Sequence, residues 1–187
     1  MQLISSAIEV AHSLLRNRLA TAQTIVDATA GNGGDTLFLA ENSPTTAKIY
    51  AFDIQAEALA ATKEHTKRYA AKINCILDSH AAVDAYVGGE IDAAIFNLGY
   101  LPGGSHAVTT DKTSTLTAVQ KMLEKLSLNG VLIIVAYPGH TAGCMEKQAL
   151  ETYFEDLPMQ RFTVGCYKLL NHGLRAPNLY VIEKVRR

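Results

Sequence analysis

The chain's 187 residues are enough for one sizeable domain, and an apolar share of 48% can furnish its core. A net charge of -1 excludes the basic footprint of a protein gripping long duplex nucleic acid, and no stretch approaches the ~18 apolar residues of a membrane span. Cys75, Cys144 and Cys166 lie far apart with no Cys-x-x-Cys pair, and the six histidines lack ligand spacing. Both facts argue against a disulfide framework or a metal site and fit reduced thiols in the cytoplasm.

Ile4, Ile8, Ala11, Leu15 and Leu19 recur at helical spacing, which predicts an amphipathic helix over residues 3–19. Strand-like runs then alternate with helical ones. Strands are predicted at Thr24–Ala28, Lys48–Asp53, Asn74–Leu77, Ile91–Leu98 and Val131–Tyr137. Helices are predicted at Asp35–Glu41, Ala56–Ala71, Ala81–Tyr86 and Ser114–Leu126. Such alternation predicts parallel strands with helices on both faces. After Pro138 comes a helix at Met145–Phe154, then two strand-like runs, Arg161–Leu169 and Leu179–Glu183, separated by a loop alone. These two pair naturally as an antiparallel hairpin. The expectation is an α/β Rossmann-like fold with a mostly parallel seven-stranded sheet ending in that hairpin. No repeat or linker interrupts the chain, so one domain is read over residues 1–187, its first 22 residues forming a helix packed upon it.

The first strand ends in Asp27 and turns through Gly31-Asn32-Gly33-Gly34-Asp35-Thr36 into an apolar helical run. Glycines let a backbone approach a ligand, and a helix start offers free N–H groups. The third glycine of the Gly-x-Gly-x-x-Gly dinucleotide loop is absent, because Thr36 stands there, and an acid at the helix start would repel a pyrophosphate. S-adenosylmethionine carries no phosphate and bears ammonium and sulfonium charges, so Asp27, Asn32 and Asp35 suit it, with Asp35 able to accept from its amino group. Asp53, ending the second strand, is placed for ribose hydroxyls with Gln55 beside it. Asp78-Ser79-His80 ends the third strand, where an adenine edge would lie; helix capping by Asp78 or Ser79 is the compatible alternative.

The fourth strand runs into Asn97-Leu98-Gly99-Tyr100, at the edge of the sheet where substrates bind. Asn97-x-x-Tyr100 resembles the Asn-Pro-Pro-Tyr motif of amine methyltransferases, with Leu98 and Gly99 in place of the prolines. An Asn amide oxygen can accept from a target amine, and an aromatic ring can stack on an extruded base; a plain turn in which Asn97 caps and Tyr100 packs is the alternative. His140, in Tyr137-Pro138-Gly139-His140 at the same edge, is a candidate proton acceptor, with His106 a weaker rival.

These segments, with Ala51-Phe52-Asp53-Ile54-Gln55, the run Asn97 to Gly104 and the closing Ile182-Glu183-Lys184, resemble the small bacterial methyltransferases labelled putative rRNA methylases. The resemblance spans nearly the whole chain. It implies S-adenosylmethionine contacts at Asn32, Asp35, Asp53, Gln55, Ser79 and His80. It also implies methylation of the 5-aminomethyl group on the wobble uridine of transfer RNA, with the anticodon arm as partner. The chain departs from the family pattern at Gly34 where His is common, at Ala142 where Gly is common, and within Asn171 to Asn178, where one Asn and one Pro of an Asn-x-x-Asn-x-Pro-Pro pattern are replaced. Lys168 and Arg175 are candidate phosphate contacts, and the C-terminal hairpin can pair two copies as a homodimer. Ribosomal RNA, another amine, a non-catalytic cofactor- or RNA-binding module and a NAD-dependent oxidoreductase stand as alternatives.

Overall fold

A computed structural model describes residues 5–99, 112–139 and 141–186, apart from the side chains of Ala142, Leu174 and Arg175. Seven strands form one sheet: β1 (Thr24–Asp27), β2 (Lys48–Asp53), β3 (Ile73–Leu77), β4 (Ile91–Asn97), β5 (Leu126–Ala136), β6 (Phe162–Tyr167) and β7 (Asn178–Lys184). Their order is β3-β2-β1-β4-β5-β7-β6. The first five are mutually parallel, whereas β7 runs antiparallel to both β5 and β6. The Rossmann-like, mostly parallel sheet with its antiparallel ending is therefore as the sequence predicts. Strand order reverses between β1 and β4, and that reversal opens the crevice where ligands of such sheets bind.

The helices are α1 (Ala7–Leu19), α2 (Gly34–Asn42), α3 (Ala56–His65), α4 (Val83–Tyr86), α5 (Lys112–Lys125) and α6 (Thr141–Glu155). Ser6 starts α1 through a capping box, its hydroxyl accepting from the Glu9 N–H while Glu9 reaches back to the Ser6 N–H. Ala7, Ala11, Leu15 and Leu19 then bury one face of α1 against Ile25, Ile49, Ile95 and Ile133, on the same side of the sheet as Leu39 and Ala40 of α2. Buried residues of α5 and α6, among them Met122, Leu123 and Phe154, cover the opposite side. Because β4 is covered on both faces, successive residues Ala93 to Phe96 are all wholly buried. Truncating Phe96 to Ala would cost about 3–5 kcal/mol in that close-packed layer.

Several boundaries differ from expectation: α1 starts at Ala7, held there by the Ser6 cap, and α6 starts at Thr141, four residues before Met145. The helix predicted over Ala56–Ala71 stops at His65, and a 3-10 segment, Lys67–Lys72, leads into β3. Strand β5 begins at Leu126 rather than Val131. Asn129 adopts φ 61°, and a side chain on Gly130 would sit 2.8 Å from the Ser127 carbonyl. This irregular start breaks the alternation that marks strands in sequence.

Candidate functional site

The loop between β1 and α2 sits at the topological switch point. Gly33 has φ 82°, and a Cβ there would lie 2.8 Å from the Thr62 Cα, so the close approach of α3 demands glycine. Helix α2 starts at the N-cap Gly33 without a side-chain cap hydrogen bond, as a helix start that offers its first N–H groups to a ligand does. Asp53, at the end of β2, braces the loop: its Oδ2 accepts from the Gly31 N–H and its Oδ1 from the Gln55 N–H, each at 2.9 Å. Each oxygen keeps a further lone pair. Asn32 is exposed at the loop tip.

Asp27 lies beneath the loop with no exposed surface. Its Oδ2 accepts from the Thr36 hydroxyl at 2.5 Å and its Oδ1 from the Thr29 N–H at 3.1 Å. Burial pushes its carboxyl up to about 7, helped by the charge on Asp35 and opposed by those two hydrogen bonds. Asp27 thus reaches the crevice through the loop it supports, not by direct exposure.

Asp35 links two distant elements. Its Oδ1 is 2.7 Å from His12 Nε2 of α1, and its Oδ2 accepts from Asn97 Nδ2 at 3.2 Å. The Asn97 backbone N–H donates to the Thr29 hydroxyl at 2.7 Å, fixing the end of β4 against the end of β1. Tyr137, following β5, has its ring 3.8 Å from where a Cβ on Gly99 would stand, and burial together with the charge of Asp35 raises its phenol above the ordinary range. Asp35, Asn97 and Tyr137 therefore converge on one edge of the sheet. Tyr100, His106 and His140 lie outside the described residues, as does the side chain of Arg175.

At the end of β3, Ser79 accepts from the Ala81 N–H and starts a 3-10 turn, His80–Ala82, so the capping role is realised there. Asp78 holds the Ser79 N–H and the Tyr86 hydroxyl. His80 is buried, its Nδ1 3.0 Å from the Ala28 carbonyl. A carbonyl only accepts, so Nδ1 carries the proton and Nε2 presents a lone pair. That Nε2 is buried and unpartnered among the described residues. Burial depresses the imidazole, keeping it neutral.

The model of the family described as "Putative rRNA methylase" matches residues 49–183. The chain belongs to that family. A Clostridium thermocellum member, described as a putative rRNA-methylase, superposes with a TM-score of 0.94 at 31% identity, covering 98% of this chain and all of that one. A Streptococcus mutans putative methyltransferase, solved in complex with SAH, shares 42% identity at a TM-score of 0.88, covering 97% and 99% of the two chains. The Arabidopsis thaliana chloroplastic tRNA (mnm(5)s(2)U34)-methyltransferase is 29% identical over 190 residues, 95% of this chain and 69% of that protein.

Sequence reasoning within this methylase-family chain missed His12, Thr29 and Thr36. The two threonines flank the glycine loop, where hydroxyls near an acid are a recognisable signal. His12 lies 23 residues from its partner, and its helix reads simply as amphipathic. Among the described residues no group of three or more His, Cys, Asp or Glu side chains is placed to hold a metal ion.

Proposed function

We propose that this protein is an S-adenosylmethionine-dependent methyltransferase of transfer RNA that converts the 5-aminomethyl group of the wobble uridine into 5-methylaminomethyl-uridine. The observation that carries this reading is the setting of Asn97. An ionised Asp35 only accepts hydrogen bonds, so it fixes Nδ2 of Asn97 towards itself and leaves Oδ1 for another donor. A primary amine is such a donor, and holding it there directs its lone pair.

The residues present fit the cofactor. Asp35 is a carboxylate suited to the cationic amino group, and the free lone pairs of Asp53 suit ribose hydroxyls. His80 Nε2 is an acceptor buried without a donor, and an adenosine carries donors. When bound, S-adenosylmethionine supplies an electrophilic methyl carbon whose bond to sulfur breaks with the electron pair left on sulfur. The chain's own part is to hold the neutral amine at Asn97, to support the glycine loop from beneath through Asp27, and to stack the base. Tyr100 is the proposed stacking ring and His140 the proposed proton acceptor.

Lys168 lines a concave site beside Pro138, at the sheet edge that carries Asn97 and Tyr137, while Lys147 in the same lining is ion-paired with Glu151 at 2.6 Å. That site is the proposed contact for phosphates of the anticodon arm. A small arm needs few such contacts, consistent with a nearly neutral chain.

Mass spectrometry of transfer RNA nucleosides from a deletion strain tests the proposal. Loss of methylaminomethyl-uridine with accumulation of its aminomethyl precursor is expected. An unchanged transfer RNA profile, with a methylated base lost from ribosomal RNA instead, would overturn the substrate assignment.

A further inference from the structure

We propose that His12, on α1 and outside the glycine loop, is a positioning residue that sets the orientation of Asn97 through Asp35. In taking Asn97 as the amine's acceptor, the inference rests on the function proposed above. His12 Nε2 and Asn97 Nδ2 approach opposite oxygens of the Asp35 carboxylate, at 2.7 and 3.2 Å. The Asp35 side chain is 10% exposed and that of His12 26%, so the contact is shielded on both sides. Rotation about χ2 moves both carboxylate oxygens together, so a second partner on the far oxygen tightens the torsion that the first alone restrains. Held at both, the carboxylate presents one oxygen steadily to Asn97.

The imidazole is itself fixed. It stacks on Phe38 of α2, with centroids 3.8 Å apart and planes 3° from parallel. Arg16, one turn further along α1, lies over the same ring at 5.4 Å and donates to Asn42 Oδ1 at 2.8 Å. Thus α1 is clamped to α2 by a His–Phe–Arg cluster, and the one polar contact of that cluster aimed at the crevice is His12 to Asp35. A histidine that served packing alone would not need its Nε2 against a carboxylate already engaged by a residue at the reacting edge.

Two measurements test this. In the wild-type protein without ligand, ¹⁵N spectra should show His12 with a protonated Nε2, because only a donor is stable against an ionised Asp35; an Nδ1–H tautomer with bare Nε2 overturns the proposal. The second measurement compares H12F, which keeps the stack, with H12Q, which restores a donor at similar reach. H12F should lower kcat on order of tenfold, while its dissociation constant for S-adenosylhomocysteine rises by no more than about threefold. H12Q should recover most of kcat. Wild-type kcat in H12F, or H12Q no better than H12F at equal thermal stability, overturns it. If wild-type enzyme does not methylate aminomethyl-uridine transfer RNA, the functional reading fails instead. The tautomer, with a shift of the Asn97 side-chain amide signals in H12F, still decides the role of His12.

Discussion

Asp53 and Gly31, 22 residues apart in sequence, meet at the crevice, where the Asp53 carboxylate takes the Gly31 N–H at 2.9 Å. One acid at the end of β2 thereby shapes the glycine loop that follows β1 while holding lone pairs towards the proposed ribose. Asp53→Ala should raise the dissociation constant for S-adenosylmethionine about 10- to 100-fold, since charge-assisted hydrogen bonds are worth roughly 1.5–3 kcal/mol. Asp53→Asn should fall between. Titration calorimetry measures both, and unchanged affinity in the alanine variant refutes the ribose role.

The loop's glycines differ in what they demand. Gly33 combines φ 82° with a 2.8 Å contact, whereas a Cβ on Gly34 would meet nothing within 4 Å. Gly33→Ala should therefore destabilise by about 1–3 kcal/mol, lowering Tm by roughly 3–10 °C. Gly34→Ala should leave Tm within about 1 °C of wild type and is the internal control. Equal melting temperatures for the two variants would show that the loop relaxes freely.

That contrast also measures how far the sequence could be read. Three glycines in four positions announce a loop, but only the approach of Thr62 from α3 distinguishes Gly33 from Gly34, and that approach is tertiary. The alternation of strands and helices was legible because β1, β2, β4 and the second half of β5 are apolar runs bounded by turns. The end of α3 was not, since no Gly or Pro separates His65 from Lys72. A motif at the end of β4 makes Asn97 a candidate from sequence. His12 is not one, because its partner Asp35 lies on another helix and no local pattern joins them.

Asn97 acts in the proposed reaction on the amine, not on the cofactor. Asn97→Ala should lower kcat about 100-fold while changing the dissociation constant for S-adenosylhomocysteine less than about threefold. Single-turnover kinetics on undermodified transfer RNA separate the two effects. A variant that loses cofactor affinity in proportion to rate would assign Asn97 to cofactor binding instead.

Asp92, at the second position of β4, is a structural counterpart to these acids. It accepts from the N–H groups of Gln23 and Thr24 and from the Ser127 hydroxyl, and pairs with Arg18 at 2.6 Å. Burial alone would raise its carboxyl, but those donors outweigh it and hold the group below the usual range. Its stabilisation is therefore complete at neutral pH and lost as pH falls below about 4, towards its depressed value. Asp92→Ala should cost about 1.5–3 kcal/mol at pH 7, with the gap to wild type closing in acid. Urea melts across pH 3–7 give that gap directly; a constant difference would deny the carboxylate's role.

Asp27 has the opposite sign. With its carboxyl raised to about 7, chiefly by burial and then by the charge on Asp35, the folded state keeps a proton that the unfolded chain releases near pH 4. Its contribution to stability is thus greatest in acid and declines as pH rises from about 4 to 7, with a slope approaching 1.4 kcal/mol per pH unit, roughly. Asp27→Asn can still accept from the Thr29 N–H and should remove that slope, so its stability relative to wild type should grow up to pH 7 and then level. A cationic cofactor entering the same crevice favours the ionised form, so binding should expel the Asp27 proton. Calorimetry at pH 6–7 in buffers of different ionisation enthalpy should register proton release in wild type and less in Asp27→Asn. Equal release in both would place the titrating group elsewhere.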